Sequence, residues 1–244
     1  VICKIDDKDS IHWIKNFYLK KIETILGKKV SDINILNNFH KYINLKDLNS
    51  FRLKLINEIS KSKLYRKHYY NIAKKYLDIL VGNELVMQRS INLSIQLPRD
   101  NSSLLQVHAD TWSGDSPFEV VVWLPLVDCF KTKSMYILPA SKYGKFLKKF
   151  KNSHLKKNYN LYKSIEKDLE WIDIKFGEVL LFNQNLPHGN IVNKVNQTRW
   201  TNNCRFKSIF SPYGDKKIGE FFQPITLRAA SKIGMNYKLP LEKE

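Results

Sequence analysis

The chain has 244 residues, of which 43% are hydrophobic, and carries a formal net charge of +18. That length and apolar content suit one large globular domain, or one domain with a helical extension. No apolar run is long enough to span a membrane, and three widely spaced cysteines (Cys3, Cys129, Cys204) with no CxxC pair argue against a disulfide framework and a zinc knuckle.

The start, VICKIDDKDS, lacks the basic-then-apolar layout of a signal peptide, and a reducing cytoplasm is the expected compartment. The surplus charge would suit nucleic acid, a membrane surface or an anionic substrate. Lys greatly outnumbers Arg, and no helix-turn-helix, zinc-finger or RNA-binding strand signature is present, so nucleic acid is a poor fit. An anionic small molecule or glycan is the better use for the surplus.

Residues 1–85 read as a helical support. From Ser10, residues Ile11, Ile14, Phe17, Tyr18, Ile22 and Ile25 recur at helical spacing until Gly27. A second helix is expected over 45–59, with Leu48, Phe51, Leu55, Ile56 and Ile59 on one face, and a third over 64–80 with Gly82 as its C-cap. From Val86 the period changes to two. Ile91, Leu93, Ile95 and Leu97 alternate with Ser90, Asn92, Ser94 and Gln96 in a half-buried strand that ends at Pro98. Further strands are expected at 104–110, 118–124, 135–138, 178–183 and 199–210. Short strands between turn signals make the fold class mainly β with flanking helices, a sandwich or jelly roll. Its core is expected at 86–212, with a C-terminal extension at 213–244. Segment 141–170 breaks the rhythm. It is Lys-rich (Lys142, Lys145, Lys148, Lys149, Lys151, Lys156, Lys157, Lys163, Lys167) and reads either as a lid or as a solvated insertion.

The chemistry-bearing residues lie in the second half. Residues i and i+2 of a strand share a face, so His108 and Asp110 in QVHADTW can reach one metal. His188 follows a strand in LLFNQNLPHGN, where Pro187 and Gly189 make a tight exit. Two imidazoles and one carboxylate leave half of an octahedron open, the arrangement of non-haem Fe(II) oxygenases. An Ala or Gly in place of Asp110 would open a halide position, so halogenation is disfavoured. His12, His40, His68 and His154 show no partner pattern and read as ordinary polar residues. Arg199, Thr201, Asn203 and Arg205 share one strand face, opposite Trp200, Asn202, Cys204 and Phe206. Two arginines on one face are costly in an ordinary core but suit a cavity that receives carboxylates. Arg199, eleven residues beyond His188, is the candidate for a bidentate grip on the distal carboxylate of 2-oxoglutarate. Arg205 reads either as a second acid-binding group or as half of an ion pair, and Cys204 as a buried thiol.

The run VHADTW…VVVWLPLVDCFKTKSMYILPASK…FGEVLLFNQNLPHGN…NQTRWTNNCRF resembles the phytanoyl-CoA dioxygenase superfamily of Fe(II)/2-oxoglutarate oxygenases. Within it, HADTWSGDSPFEVVVWLPL and TRWTNNCRFKSIFSPYG are similar to StrG-like oxygenases of carbohydrate biosynthesis clusters. The resemblance covers residues 86–213 and thins beyond them. It implies a cupin-like double-stranded β-helix with helices buttressing one side. It also implies His108, Asp110 and His188 as iron ligands, Arg199 as the cosubstrate arginine, and Gln96 and Trp123 as further cosubstrate contacts. On its own residues Trp123 reads equally as a core aromatic. Lys133-Ser134 stands where the superfamily commonly has Asn-Gly, a departure expected to affect a turn and not the metal site.

The implied reaction uses Fe(II), O2 and 2-oxoglutarate, releases succinate and CO2, and hydroxylates a sugar, nucleotide-sugar or surface-polysaccharide unit. Trp112, Asp115 and Glu119 would border the substrate pocket, Trp112 by stacking on a sugar ring. No catalytic residue beyond the metal ligands is expected, in keeping with the lack of a Ser-His-Asp or paired-carboxylate arrangement. The alternatives are another small metabolite (an acyl thioester or amino acid), desaturation or epimerisation, and a metal- or sugar-binding β-barrel without turnover. A carboxylate ligand and the cysteine spacing disfavour a structural zinc site.

Overall fold

The computed structural model describes residues 1–153 and 160–240. After a short strand β1 (Ile2–Lys4), the Asp7 carboxylate accepts from the Ser10 amide and caps α1 (Lys8–Leu26). Gly27, at φ +67°, ends that helix in the left-handed region. Helices α2 (Ile35–Asn38) and α3 (Leu45–Lys61) follow. The single helix expected over 64–80 is two, α4 (Lys63–Asn71) and α5 (Lys74–Leu80). The break at Ala73 (φ −122°) allows Tyr69 and Leu77 both to bury completely. A straight helix would point residues eight apart about 80° away from each other.

Strands β2 (Leu85–Gln88), β3 (Asn92–Gln96), β4 (Val120–Pro125), β5 (Tyr136–Ile137), β6 (Glu170–Trp171), β7 (Glu178–Asn183), β8 (His188–Gly189), β9 (Arg199–Ser208) and β10 (Phe222–Thr226) build two antiparallel sheets. The larger runs β1-β7-β4-β9-β2-β10, with β3 pairing the first half of β9; the smaller runs β6-β5-β8. The two sheets with their flanking helices form a jelly roll of the double-stranded β-helix type. Helices α6 (Ala140–Ser153) and α7 (Leu161–Ile165) connect β5 to β6, and α8 (Ala229–Met235) follows β10. The larger sheet draws β1 and β10 from outside 86–212, because the free edges of β7 and β2 need partners.

The strand expected at 104–110 does not form. Only His108 pairs, through a two-way bridge with His188 (N–H to carbonyl 3.0 Å and 2.8 Å). The chain then turns into a 3-10 segment, Asp110–Ser113, as the Trp112 amide donates back to the Ala109 carbonyl at 2.9 Å. The strand expected at 199–210 stops at Ser208, whose carbonyl accepts from the Ser211 amide.

Strand β9 joins the two halves of the architecture. Its even-numbered residues face the helices. Trp200 is fully buried, lies edge-on to Tyr18 and Phe39, and donates from Nε1 to the Leu36 carbonyl at 2.9 Å. The Asn202 Oδ1 accepts from the Tyr18 and Tyr65 hydroxyls, 2.9 Å each. Each fully buried large apolar side chain of this layer contributes about 1.5–3 kcal/mol. The opposite face of β9 carries Arg199, Thr201, Asn203 and Arg205 into a cavity between the sheets.

In the Lys-rich segment, Tyr143, Phe146, Leu147 and Phe150 follow i, i+3, i+4, i+7 spacing and pack with Leu138, Ile165 and Val107. Lys142, Lys145, Lys148 and Lys149 point outward and are exposed. Lys156, Lys157 and His154 lie outside the described residues. Cys129 and Cys204 are buried, and all three cysteines are free. Among the described residues, no helix is long and apolar enough to cross a membrane.

Candidate metal centre

The bridge between His108 and His188 brings their rings to 4.4 Å between centroids. Asp110, two residues beyond the bridge, donates its amide to the Gln184 carbonyl at 3.1 Å, which turns its side chain back towards them. One ligand atom from each of His108, Asp110 and His188 lies within 4.8 Å of the other two, and this is the one such His/Cys/Asp/Glu cluster among the described residues. The two side chains expected to meet along a strand meet across a bridge and a tight turn.

Both imidazoles are oriented by a backbone carbonyl. His108 Nδ1 is 2.7 Å from the Gln106 carbonyl, and His188 Nδ1 is 2.8 Å from the Leu186 carbonyl. A carbonyl only accepts, so each Nδ1 carries the hydrogen and each Nε2 presents its lone pair. This orienting contact is usual behind metal-ligating histidines. Burial and the neighbouring His108 push His188 well below the ordinary imidazole pKa, which keeps it neutral and ready to ligate. The donor set of two neutral nitrogens and a carboxylate oxygen fits a divalent transition metal with open positions.

Behind Asp110 lies a buried polar network. Arg205 Nη2 is 2.9 Å from Asp110 Oδ2, while Oδ1 of the same carboxylate is 3.7 Å from His108 Nε2. Arg205 Nε donates to Gln184 Oε1 at 2.9 Å and lies 3.5 Å from Asp115 and 3.9 Å from Glu119. Gln184 Nε2 in turn donates to the Ser116 carbonyl and to Glu119 Oε2 (2.7 and 2.8 Å). Burial pushes the carboxyl groups of Asp115 and Glu119 above their ordinary range, against the pull of Arg205. Three carboxylates thus surround one guanidinium, and a divalent cation would balance the excess negative charge.

Arg199 is only 3% exposed. Its Nη1 donates to the Ser134 carbonyl at 3.0 Å and its Nη2 to Ser94 Oγ at 3.1 Å, while Nε has no partner. Burial draws its pKa down to about 10. No ion pair neutralises Arg199 among the described residues. A buried guanidinium left this way is costly unless an anion joins it, and a carboxylate from the cavity fits that need. The cavity measures about 260 Å³ and is walled by polar Asn92, Asn190, Thr201 and Asn203 and by apolar Leu105, Trp123, Met135 and Phe182. That is below the roughly 300–1,000 Å³ of pockets that enclose drug-sized ligands, so a large substrate would extend past the rim.

Of the expected site residues, Arg199, Arg205 and Trp123 line the cavity with the three candidate ligands. Gln96 pairs in register with Arg199 but does not line the cavity; its amide nitrogen donates to the Ile191 carbonyl at 2.8 Å, and its buried oxygen has no protein partner. Asp115 and Glu119 sit behind the cavity wall against Arg205. Trp112 also lies outside the lining and stacks on Phe150 of α6 (5.3 Å, 5° between planes), so an aromatic ring of the chain already covers one of its faces. The turn at Lys133-Ser134 does reach the site, because the Ser134 carbonyl receives Arg199. Lys133 is buried and anchors that turn to Asn37 and Gln197 (2.6 and 2.8 Å). Three residues of the site carry no sequence signal of their role: Gln184, Gln88, whose Oε1 accepts from Arg205 Nη1 at 3.2 Å, and Ser94. Gln184 stands four residues before His188, on the same strand exit.

No family model and no curated protein sequence matches the chain. Solved structures do. A nickel complex of ThoJ, described as a non-heme monooxygenase, is 12% identical with a TM-score of 0.56, over 93% of this chain and 79% of that one. AviO1 from Streptomyces viridochromogenes Tue57 is 14% identical with a TM-score of 0.54, over 86% of this chain and 90% of that one. Iron-bound HygX from Streptomyces hygroscopicus is 15% identical with a TM-score of 0.50, over 72% and 82%. At such identities the likeness is one of fold.

Proposed function

We propose that this chain is a non-haem Fe(II) oxygenase that uses O2 and 2-oxoglutarate, releases succinate and CO2, and hydroxylates a sugar, nucleotide-sugar or polysaccharide unit. The observation that carries the reading is the convergence of His108, Asp110 and His188 in a cavity that also holds the charge-unpaired Arg199. The two Nε2 atoms and one Asp110 oxygen would hold the metal, and Arg199 would grip the distal carboxylate of 2-oxoglutarate. Metal and cosubstrate together would supply the oxidising power for attack on a C–H bond. The chain's own part is to hold three ligands on one side, to neutralise a dicarboxylate, and to keep water away with Leu105, Met135, Phe182 and Trp123. No side chain needs to move a proton. A simple metal- or sugar-binding module would have no use for a buried, unpaired arginine.

The fold supports the reading: ThoJ is described as a non-heme monooxygenase and HygX holds iron. Residue motifs favour the phytanoyl-CoA dioxygenase superfamily and StrG-like members within it. Amides and hydroxyls from Asn92, Asn190, Thr201 and Asn203 favour a polyhydroxylated substrate, and the exposed lysines of α6 would meet any acidic part of it. Three free cysteines suit a reducing compartment such as the cytoplasm. The test is succinate release across a substrate panel. Turnover with glycosyl donors or oligosaccharides is expected; turnover only with acyl thioesters or amino acids would refute the substrate class.

A further inference from the structure

We propose that Arg205 is a positioning residue that divides the Asp110 carboxylate, holding Oδ2 so that Oδ1 alone is presented to the metal; this rests on the metal-centre reading above. The two oxygens already have different surroundings. Oδ2 is 2.9 Å from Arg205 Nη2, and Oδ1 faces His108 Nε2 at 3.7 Å. A free carboxylate can ligate through one oxygen or two, and the second mode would consume a position that a cosubstrate needs.

Arg205 is itself held from several sides, which is what a positioning role requires. Its Nε donates to Gln184 Oε1 at 2.9 Å and its Nη1 to Gln88 Oε1 at 3.2 Å. Gln184 also accepts the Asp110 amide at its backbone carbonyl. One glutamine therefore fixes both the backbone of the ligand and the guanidinium that orients its side chain. Asp115 and Glu119 lie on the Nε side and complete the cage. Arginine can do this because its planar fork serves several acceptors at once, whereas a lysine ammonium is a single point charge. With its guanidinium committed to this cage, Arg205 is not free to bind an acidic group of a substrate.

The test uses the full chain loaded with Co(II), whose ligand-field bands respond to coordination number. Wild type, Arg205→Lys and Arg205→Gln are compared by metal titration, Co(II) spectrum and circular dichroism. Loss of an orienting partner behind a ligand typically weakens metal affinity about 10- to 100-fold. Arg205→Gln is expected to fall in that range with an altered spectrum, and Arg205→Lys to lie between it and wild type. If Arg205→Gln fails to fold, the lysine variant decides. Wild-type affinity and spectrum in either folded variant would overturn the proposal, and a raised KM for the organic substrate alongside them would make Arg205 a substrate contact. A wild-type chain that takes up no Co(II) or Fe(II) would instead sink the oxygenase reading itself.

Discussion

Replacing Arg199 by Met separates a cosubstrate anchor from a structural arginine. At neutral pH the guanidinium is a buried cation whose pKa is drawn down to about 10. A depressed pKa means that the charged form is disfavoured in the folded chain, by about 3 kcal/mol for a fall from 12.5. Against this stand its hydrogen bonds to the Ser134 carbonyl and Ser94 Oγ, worth about 1.5–3 kcal/mol each. The bonds outweigh the cost by at most about 3 kcal/mol, so the variant without cosubstrate should melt no more than about 6–12 °C below wild type. With Ni(II) in place of Fe(II) to prevent turnover, 2-oxoglutarate at 1,000 times its Kd should stabilise wild type by about 4.1 kcal/mol. For a chain of this size that is about 8–16 °C in Tm. Truncating one partner of a buried charge pair costs about 2–5 kcal/mol. At about 2.7 kcal/mol the affinity falls a hundredfold, leaving about 1.4 kcal/mol of stabilisation and a shift of about 3–6 °C. Thermal melts and calorimetric titration read both quantities. A full thermal shift in Arg199→Met, or a collapse of its cosubstrate-free stability, would refute the reasoning.

Three further outcomes are expected. Gly189→Ala places a Cβ 2.6 Å from the Leu105 carbonyl and 2.6 Å from the Tyr136 hydroxyl, so it should cost about 1–3 kcal/mol in urea unfolding and weaken metal binding by displacing His188; unchanged metal affinity would count against the crowding argument. His188 is held below its ordinary pKa by burial, so the folded chain resists protonation while the unfolded chain takes up a proton near pH 6.5. Metal-free stability is therefore full above about pH 6.5 and falls below it, by about 1.4 kcal/mol per unit of depression; the difference between wild type and His188→Gln, followed from pH 7.5 to 5, should show this slope, and a flat difference would contradict it. Trp112→Ala removes the stack on Phe150, worth about 0.5–1.5 kcal/mol, and should speed hydrogen exchange in α6 several-fold; unchanged exchange would mean that this stack does not hold the helix.

The helices α1 and α3 and the strands β3, β4, β7 and β9 were legible because each carries enough residues to display a period. Strands β1, β6 and β8 run for only two or three residues, too few to show one, and in β10 Pro224 and the register shift beside it hide the alternation; β1 and β10 form because sheet edges need partners. Alternation in β3 marked Asn92, Ser94 and Gln96 as the polar face, but a polar face reads the same whether it meets solvent or a cavity. Here Ser94 meets Arg199. The spacing of His108, Asp110, His188 and Arg199 pointed to the site even though its first pair does not lie on a strand. Spacing could not foretell that Arg205 would be caged by Gln184, Gln88, Asp115 and Glu119, because these residues come from three separate stretches of the chain.

The most direct measurement is an anaerobic titration of Fe(II) into the chain with 2-oxoglutarate, followed in the visible range. A weak metal-to-keto charge-transfer band should appear in wild type with one equivalent of metal, and should be absent from Asp110→Ala. No band in the wild type, or the same band in the variant, would contradict a ferrous centre built on His108, Asp110 and His188.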